Sequence, residues 1–321
     1  MGKRRIRNLK HLKADEIFGF DVNSNRCKEV EEKYKIKTFT DFDEGLKKNP
    51  DAMIISTPPD LHMKYAKIAL ENNIHFFTEA SVTQDGMQVV INGLKQKQII
   101  GFPSCTLRFH PIILKIKEII DSKKLGKVLS FTYHSGQYLP DWHPWEDYRN
   151  YYVSKRETGA CREIVPFEIN WLISIFGKIN SLIGIKDKIS DLDADIDDIY
   201  EIILDFENKI KGVLIVDVIS RVPIRDIKIF TENGVIFVDW YKKSIDLFVD
   251  KKWEHLEIDP GEPEKEYLHG EKPYIDEMNN FIMLIKEKTS QEFTYENDLE
   301  VLKILDAIES SSIDGTRKII K

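Results

Sequence analysis

Two residues near the start of the chain have the types and the spacing with which proteins bind a dinucleotide. Gly2 opens a basic helical segment, and Asp21 follows 19 residues later at the end of a strand-like run, residues 16–21. In a dinucleotide-binding βαβ unit, glycines let the phosphates approach a helix start, and an acid about 20 residues further on binds the ribose hydroxyls. Because an acid repels a 2′-phosphate, this pattern favours NAD over NADP.

The dinucleotide-binding unit is represented only from its last glycine, Gly2, onward. Its buried first strand and earlier glycines would precede Met1, either absent from the protein or encoded upstream of the assigned start. We expect a gap at the middle of the sheet, between the strands at residues 16–21 and 52–56. We also expect the chain as written to bind NAD poorly or to have an unstable first domain.

The composition is that of an ordinary soluble chain and argues against several classes of protein. Its 321 residues suit two domains of about 150 residues each, and a net charge of −7 argues against a nucleic-acid partner. No Cys-x-x-Cys pair is present, and the histidines and acids between residues 134 and 147 lack zinc-ligand spacing, so we predict no metal site. No apolar run approaches the ~18 residues of a membrane span, so we expect a cytoplasmic protein without a membrane partner.

The elements that must hold these residues alternate along the first third of the chain. Amphipathic helical segments separate short apolar runs at residues 16–21, 36–39, 52–56, 75–78 and 99–102. Such alternation predicts a mostly parallel sheet with helices on both faces. The run at 52–56 leads into Thr57 and Pro58, at the carboxyl edge where open α/β sheets bind ligands.

Beyond about residue 106 the pattern changes. Strand-like runs dominate residues 128–258, with helical segments before, among and after them. Strands grouped in this way predict an open, mainly antiparallel sheet with flanking helices. We therefore predict a fold of α/β plus α+β class, with a Rossmann-like NAD-binding domain at 1–106 and a second domain at 107–321.

Four segments carry motifs that together indicate a family. They are Ile-Ile-Ser-Thr-Pro-Pro-Asp-Leu-His at 54–62, His-Phe-Phe-Thr-Glu at 75–79, Leu-Arg-Phe-His-Pro at 107–111, and the aromatic segment 136–149. The chain resembles the glucose–fructose oxidoreductase, inositol dehydrogenase and MocA (Gfo/Idh/MocA) family, and segment 136–149 looks like members from nucleotide-sugar and surface-polysaccharide pathways. The resemblance implies a nicotinamide cofactor in a cleft beside a C-terminal substrate domain, and hydride transfer at a sugar or nucleotide-sugar hydroxyl or ketone. It also implies a homodimer or homotetramer through the C-terminal sheet.

The resemblance also suggests roles for particular residues. The cofactor-binding candidates are Gly2, Asp21, Ser56, Thr57, Pro58, His62 and Glu79. For His62, a solvated histidine at a helix start is an equally good interpretation. The substrate-binding candidates are Arg108, His110, Trp142, Arg149 and Glu168. Arg108 and Arg149 suit a phosphate or carboxylate, because guanidinium groups bind such anions through two hydrogen bonds.

Four substitutions depart from the family pattern where its chemistry takes place. Ala80 replaces the lysine of the usual Glu-Lys-Pro motif, and Phe167 replaces the histidine that usually acts as general base. In the motif that contains Phe167, Glu163 stands where the family usually has its first aspartate, and Asn170 replaces the last aspartate. Because alanine and phenylalanine cannot transfer protons, another group must act as acid and base, or the protein has given up redox chemistry.

Glu163 is the strongest acid/base candidate, because its position matches the family's aspartate. Further catalytic candidates are Glu79, Tyr152 and Lys155, the last two being either a proton donor with its tuning cation or an ordinary surface pair. Aromatic residues of this region either stack on a sugar ring or anchor a long loop; they are Trp142, Trp145, Tyr148, Tyr151 and Tyr152. The sequence thus favours an NAD-dependent oxidoreductase with non-standard acid/base residues. The alternative is a non-redox or inactive family member, such as a sugar- or cofactor-binding partner subunit or a lyase.

Overall fold

The computed structural model describes residues 1–143, 146–264, 270–287 and 289–320, which fall into two compact units. Unit 1 comprises Met1–Ala80, Asp85–Ser104 and Tyr274–Glu296, and unit 2 comprises Ser81–Gln84, Cys105–Pro273 and Asn297–Lys321. The sequence suggested a contiguous division into residues 1–106 and 107–321. The structure instead groups residues 274–296, from near the end of the chain, with unit 1.

The helices and strands have the following bounds in chain order. The α-helices are α1 (Gly2–His11), α2 (Ser24–Tyr34), α3 (Phe42–Leu46), α4 (His62–Glu71), α5 (Met87–Leu94), α6 (Pro111–Asp121), α7 (Cys161–Phe176), α8 (Lys272–Glu287) and α9 (Tyr295–Asp314). The β-strands are β1 (Phe18–Phe20), β2 (Lys37–Phe39), β3 (Ala52–Ile55), β4 (His75–Thr78), β5 (Gly101–Pro103), β6 (Val128–Gly136), β7 (Ile179–Asp187), β8 (Ile199–Phe206), β9 (Lys211–Asp217), β10 (Ile224–Thr231), β11 (Gly234–Asp239), β12 (Ser244–Val249), β13 (Lys252–Glu257) and β14 (Lys318–Ile319). Within the described ranges, no helix combines the length and the apolar character needed to cross a bilayer.

The strands of unit 1 form two parallel sheets. β3, β4 and β5 lie side by side, and β1 pairs with β2 in a separate sheet. The interruption that the sequence predicts between the first and third strands is therefore observed. Phe281 of α8 explains why residues 274–296 join this unit, because its ring meets Phe77 of β4 and Phe102 of β5 edge-on at 5.9 Å.

Unit 2 is built on a nine-stranded sheet, as far as the chain is described, in the order β13-β12-β11-β10-β6-β9-β8-β7-β14. Neighbouring strands are antiparallel except β6 and β9, which run parallel. On one face of the sheet, Phe176 of α7 stacks on Phe131 of β6 at 4.5 Å, and Trp171 meets Tyr133 at 5.2 Å. The mainly antiparallel sheet predicted from the sequence is confirmed, and it gives α7 a rigid support.

Asp298, in the first turn of α9, is a buried acid without a charged partner in the described chain. Its side chain belongs to a residue that is 5% exposed, and its Oδ2 atom has no hydrogen-bond partner among the described residues. Burial raises the pKa of Asp298 to about 7, against a smaller opposing effect of the nearby Ser81 hydroxyl. Asp298 is therefore protonated in the folded protein over most of the acidic range.

Replacing Asp298 with Asn is expected to stabilise the protein at alkaline pH. The pKa of Asp298 in the folded protein lies above the unfolded value of about 3.9. Its protonation therefore makes its whole contribution to the free energy of unfolding below about pH 4, and this contribution is lost as pH rises through about 7. Asp298→Asn should unfold at a higher temperature than wild type at about pH 8.5, with a free-energy gain of at most about 4 kcal/mol, and differ little at about pH 4. Asp121→Asn, at an exposed position of α6, is the control. Equal curves for Asp298→Asn and wild type at alkaline pH would contradict the assignment.

Candidate active site

The residues predicted to bind the cofactor lie at the ends of α1, β1 and β3 in unit 1. α1 begins at Gly2 without a capping side chain, and a Cβ atom added to Gly2 would lie 3.9 Å from the Cβ of Ser56, just beyond β3. Asp21 follows β1; its side chain is 35% exposed, with Arg26 the nearest cation at 3.8 Å. Uncapped helix amides suit a phosphate, and an accessible acid after the next strand suits ribose hydroxyls, so these residues fit NAD.

His62, at the start of α4, is almost completely buried. Its Nε2 atom lies 3.0 Å from the carbonyl oxygen of Thr57, and burial lowers the pKa of the ring. The interpretation as a solvated histidine is therefore wrong. The neutral ring holds the turn that carries Thr57 and Pro58.

Glu79 is bound to a buried arginine rather than available for proton transfer. Arg5 of α1 donates to both carboxylate oxygens of Glu79, at 2.9 and 2.8 Å, and the hydroxyl of Ser56 donates at 2.8 Å. Burial alone would raise the pKa of Glu79, but the Arg5 charge and these hydrogen bonds hold it at about 2. A carboxylate this acidic cannot exchange a proton near neutral pH, so the catalytic prediction for Glu79 is not supported.

Arg5 also binds Glu277 of α8, whose Oε2 lies 2.9 Å from the arginine Nη2. The Arg5 guanidinium thus ties α1 to the end of β4 and to α8, and Ser56 at the end of β3 joins this group through Glu79, all within unit 1. Sequence analysis missed Arg5 and Glu277, because a basic residue near a helix start gives no signal of a partner this distant in the sequence.

Glu163 combines a near-neutral pKa with one carboxyl oxygen that has no hydrogen-bond partner in the described chain. It lies in the first turn of α7, and the hydroxyl of Tyr152 donates to its Oε1 atom at 2.9 Å. Its Oε2 atom is buried and has no hydrogen-bond partner in the described chain. Burial raises the pKa of Glu163 to about 7, although the Tyr152 hydrogen bond opposes this rise. The carboxyl can therefore gain or lose a proton near neutral pH.

The backbone before α7 fixes the place of Glu163. A Cβ atom at Gly159 would lie 2.2 Å from the carbonyl oxygen of Val153, so only glycine fits there. The next residue, Ala160, has φ +53°, a conformation that costs a non-glycine residue about 1–3 kcal/mol. The chain accepts this strain at the entrance to the helix that carries the acid.

Tyr152 and Lys155 do not form the predicted pair. Lys155 is exposed, and the hydrogen bonds that it makes in the described chain run through its backbone. The hydroxyl of Tyr152 is bonded to Glu163 instead. The structure therefore pairs Tyr152 with Glu163 and leaves Lys155 on the surface.

Two of the predicted substrate-binding residues are buried in structural roles. Glu168 of α7 is completely buried and accepts hydrogen bonds from Tyr133, Ser135, Trp171 and Arg225 at 2.7 to 2.9 Å. The structure does not support the substrate-binding prediction for Glu168, because four donors already surround its carboxylate.

His110 is also an internal residue. Its Nδ1 atom accepts from the amide of Ile112 at 3.2 Å and so caps the start of α6, which continues with Pro111. Its ring stacks on Trp240 at 3.8 Å. His110 is 3% exposed and caps a helix, so the structure gives it a structural role and does not support the prediction that it binds substrate.

The two arginines predicted to bind an anion already have partners. Arg149 is exposed and binds Asp147 through both its Nε and Nη2 atoms, with a weaker contact to Asp193 at 3.4 Å. Arg108 donates to the side chain of Asn170 in α7 and, at 3.0 Å, to its carbonyl oxygen. Both guanidinium groups are therefore already bound to groups of the protein.

The aromatic segment is partly described. Trp142 is half-buried with its indole N–H buried and without a partner in the described chain, while Trp145 lies outside the described residues. The ring of Tyr151 stacks on His143 at 5.2 Å and meets Tyr152 edge-on at 5.8 Å. Groups of His, Cys, Asp and Glu suited to a metal do not occur among the described residues.

Comparison with known proteins identifies the family. Residues 1–98 match the model of an oxidoreductase family with an NAD-binding Rossmann fold, and residues 113–237 match the GFO/IDH/MocA C-terminal domain. These matches together span more than two thirds of the chain, which belongs to the Gfo/Idh/MocA family of oxidoreductases. Its N-terminal part is the family's NAD-binding Rossmann domain.

Two curated proteins match part of the chain. The chain is 25% identical to levoglucosan dehydrogenase of Pseudarthrobacter phenanthrenivorans over 178 residues, 51% of this chain and 44% of that protein. Oxidoreductase P35 of Formosa agariphila is 25% identical over 175 residues, 50% of this chain and 52% of that protein. The matched segments thus span about half the length of these curated relatives.

Solved structures share the whole fold at low sequence identity. An oxidoreductase from Agrobacterium radiobacter, in complex with NAD+, L-tartaric acid and magnesium, superposes with a TM-score of 0.88 at 13% identity, over 99% of this chain and 95% of that chain. A levoglucosan dehydrogenase in complex with NADH and levoglucosan gives 0.81 at 16% identity, over 94% and 89%. At these identities the likeness establishes the fold.

Replacing Glu79 with Gln is expected to destabilise unit 1 by about 3 kcal/mol, because it removes one charge of a buried ion pair and leaves Arg5 undercompensated. Urea unfolding at neutral pH measures the loss. Since the pKa of Glu79 is depressed, its contribution is present above the unfolded value of about 4.5 and is lost as pH falls toward about 2. The control is Glu29→Gln, whose partner Lys3 and own side chain are both exposed, with an expected change of about 0–1 kcal/mol. Equal effects of the two variants would refute the buried clamp.

Proposed function

We propose that this protein is an NAD-dependent oxidoreductase that acts on a hydroxyl or ketone group of a sugar by hydride transfer. The observation that carries the proposal is Glu163, a carboxyl group with a pKa of about 7 and one buried, unpartnered oxygen atom. Membership of an NAD-binding oxidoreductase family and the levoglucosan dehydrogenase relative support it.

Oxidation of an alcohol removes a hydride from carbon and a proton from oxygen. Gly2, Asp21 and the turn after β3 would hold NAD, which would supply the hydride acceptor. The proton requires a base whose pKa lies near the working pH. Glu163 supplies such a base at its Oε2 atom. In the reverse direction, the protonated carboxyl of Glu163 donates to the developing alkoxide.

Tyr152 determines which oxygen of Glu163 is left for the substrate and how basic the carboxylate is. Because its hydroxyl occupies Oε1, the other oxygen is left for the substrate. The same hydrogen bond stabilises the carboxylate and keeps its pKa from rising further above the ordinary value. A carboxyl and a phenol thus take the place of the family histidine and lysine, which are Phe167 and Ala80 in this chain.

Substitutions at Glu163 and Tyr152 should change the rate and its pH dependence in different ways. Glu163→Gln should lower kcat for sugar oxidation by about 10²- to 10⁴-fold, the usual contribution of a general base. For wild type, the rate should rise with pH through a midpoint of about 7, as Glu163 loses its proton. Tyr152→Phe removes a hydrogen bond to the carboxylate, so the midpoint should move to higher pH.

The matched control for Glu163→Gln is Glu157→Gln, an exposed acid in the loop before α7. Rates are measured by NADH formation with a panel of sugars. Unchanged kcat in Glu163→Gln would remove Glu163 from the chemistry. Cofactor binding without turnover of any sugar would favour the non-redox alternative.

We further propose that the protein forms a homo-oligomer through the open face of the unit 2 sheet. Three apolar residues lie side by side on this face, with Ile183 opposite Ile203 and Ile203 opposite Val213. They are 39%, 55% and 36% exposed, and Ile185 extends the row at 57%. A contiguous apolar patch of this kind is typical of an interface.

Ile203→Lys is expected to dissociate the oligomer, because it places a charge at the centre of the apolar row. Light scattering coupled to size exclusion gives the mass of each variant. Ile313→Lys, at a more exposed apolar position at the end of α9, is the control and should leave the mass unchanged. A monomeric wild type, or an Ile203→Lys protein of unchanged mass, would contradict the proposal.

A further inference from the structure

The first turn of α7, which carries Glu163, begins without a capping side chain. The residue before the helix is Ala160, whose side chain cannot accept a hydrogen bond and whose φ is +53°. The first amides of a helix have no partner within it, so an uncapped and strained start loosens unless other groups hold it. The position of Glu163 therefore depends on contacts that its neighbours make.

Arg162 makes such contacts, because its guanidinium binds three other segments of unit 2. It donates to the carbonyl oxygen of Glu157, at 2.7 Å, in the loop before α7, and to that of Val82 in segment 81–84. Its Nε atom donates to Glu309 of α9 at 3.0 Å, and the side chain is only 17% exposed. A planar guanidinium directs its donors along fixed lines, so acceptors from three segments fix the turn that carries it.

Glu309, the carboxylate partner of Arg162, is itself held from the core of unit 2. Tyr200 of β8 is a buried residue, and its hydroxyl donates to the same Oε1 atom of Glu309 at 2.9 Å. A connected set of hydrogen bonds thus runs from the sheet through α9 to the first turn of α7. Polar networks whose members are paired in this way hold their side chains in one arrangement.

Arg162 acts on the place of Glu163 rather than on its acidity. Burial raises the pKa of Glu163 and the Tyr152 hydrogen bond opposes that rise, whereas the Arg162 charge is not among the causes. Successive residues of a helix do not face each other, which agrees with the contacts that each makes. Arg162 binds Glu309, and Glu163 binds Tyr152.

We infer that Arg162 is the positioning residue for Glu163, fixing the first turn of α7 so that the unpartnered Oε2 atom stays buried and directed at the substrate. The inference rests on the proposed function, in which Glu163 takes the proton of the reacting hydroxyl. A base must lie within hydrogen-bond reach of that proton, and a displacement of about 1 Å can lower a rate by about 10²-fold. Without the guanidinium, we expect the turn to loosen and water to reach the carboxyl.

Arg162→Met tests the inference in turnover. The folded fraction is measured by circular dichroism, and rates are expressed per folded molecule. With NAD and a sugar that wild type oxidises, kcat should fall by about 10- to 100-fold, because the base is displaced from the reacting hydroxyl. KM should change little, since substrate still binds and only an interaction of the transition state is lost.

The titration of Glu163 gives a second readout that needs neither substrate nor cofactor. The carbonyl stretch of Glu163 is isolated as the infrared difference between Arg162→Met and the double variant with Glu163→Gln, and is followed as pH is raised. Its midpoint should fall below about 7, because water that reaches the carboxyl reverses the effect of burial. Loss of a nearby positive charge would by itself raise the midpoint, so a lower value reports the loosened turn.

Arg162→Lys separates geometry from charge and keeps the test valid if Arg162→Met does not fold. Lysine retains the positive charge, but its ammonium lacks the planar fork that reaches three acceptors, so kcat should stay at least about fivefold below wild type. The midpoint of Glu163 should again fall. The matched control is Arg317→Met, whose arginine binds Ser181 and Asp205 of β7 and β8, and it should change neither kcat nor the midpoint.

The variants distinguish failure of the inference from failure of the proposed function. Wild-type kcat and an unchanged or raised midpoint in a folded Arg162 variant would overturn the inference and leave the oxidoreductase proposal standing. Unchanged kcat in Glu163→Gln, together with a lowered midpoint in the Arg162 variants, would overturn the oxidoreductase proposal and support the positioning role.

Discussion

The carboxylate of Glu168 places a negative charge inside unit 2, and the surrounding structure is arranged to accommodate it. Removing a carboxylate from water costs several kcal/mol unless it is paired and hydrogen-bonded. Arg225 supplies the charge, and Tyr133, Ser135 and Trp171 supply hydrogen bonds at 2.7 to 2.9 Å. Because these donors come from β6, β10 and α7, satisfying one charge fixes the helix on the sheet. The first turn of that helix carries Glu163.

Three buried or half-buried carboxyl groups therefore behave differently because of their partners. Glu79 has Arg5, and its pKa falls to about 2. Glu163 has a phenol and no guanidinium, so burial dominates and its pKa rises to about 7. Glu168 has one cation and three neutral donors and forms part of the core. Residue type alone does not predict which buried acid titrates near neutral pH; the identity of the nearest donor does.

The sequence predicts what depends on local periodicity and on short motifs. Alternating strands and helices indicate the parallel sheets of unit 1, and grouped strands indicate the antiparallel sheet of unit 2. Position within a family motif points to Glu163. The sequence does not predict the partner of each charged residue, because the partners are distant in sequence and meet only in the folded chain. Glu168 meets Arg225 across 57 residues, and Arg5 meets Glu79 across 74. The sequence accordingly predicts that Glu168 and Arg149 bind substrate, whereas in the structure Glu168 is paired with Arg225 and Arg149 with Asp147.

The proposed chemistry depends most on the protonation state of Glu163, and infrared spectroscopy measures that state directly. The carbonyl stretch of a protonated carboxyl group, isolated as the difference between wild type and Glu163→Gln, is followed as pH is raised in the full chain. We expect one carboxyl that loses its proton with a midpoint of about 7. A carboxyl that is already ionised at mildly acidic pH, near the ordinary glutamate value of about 4.3, would contradict it.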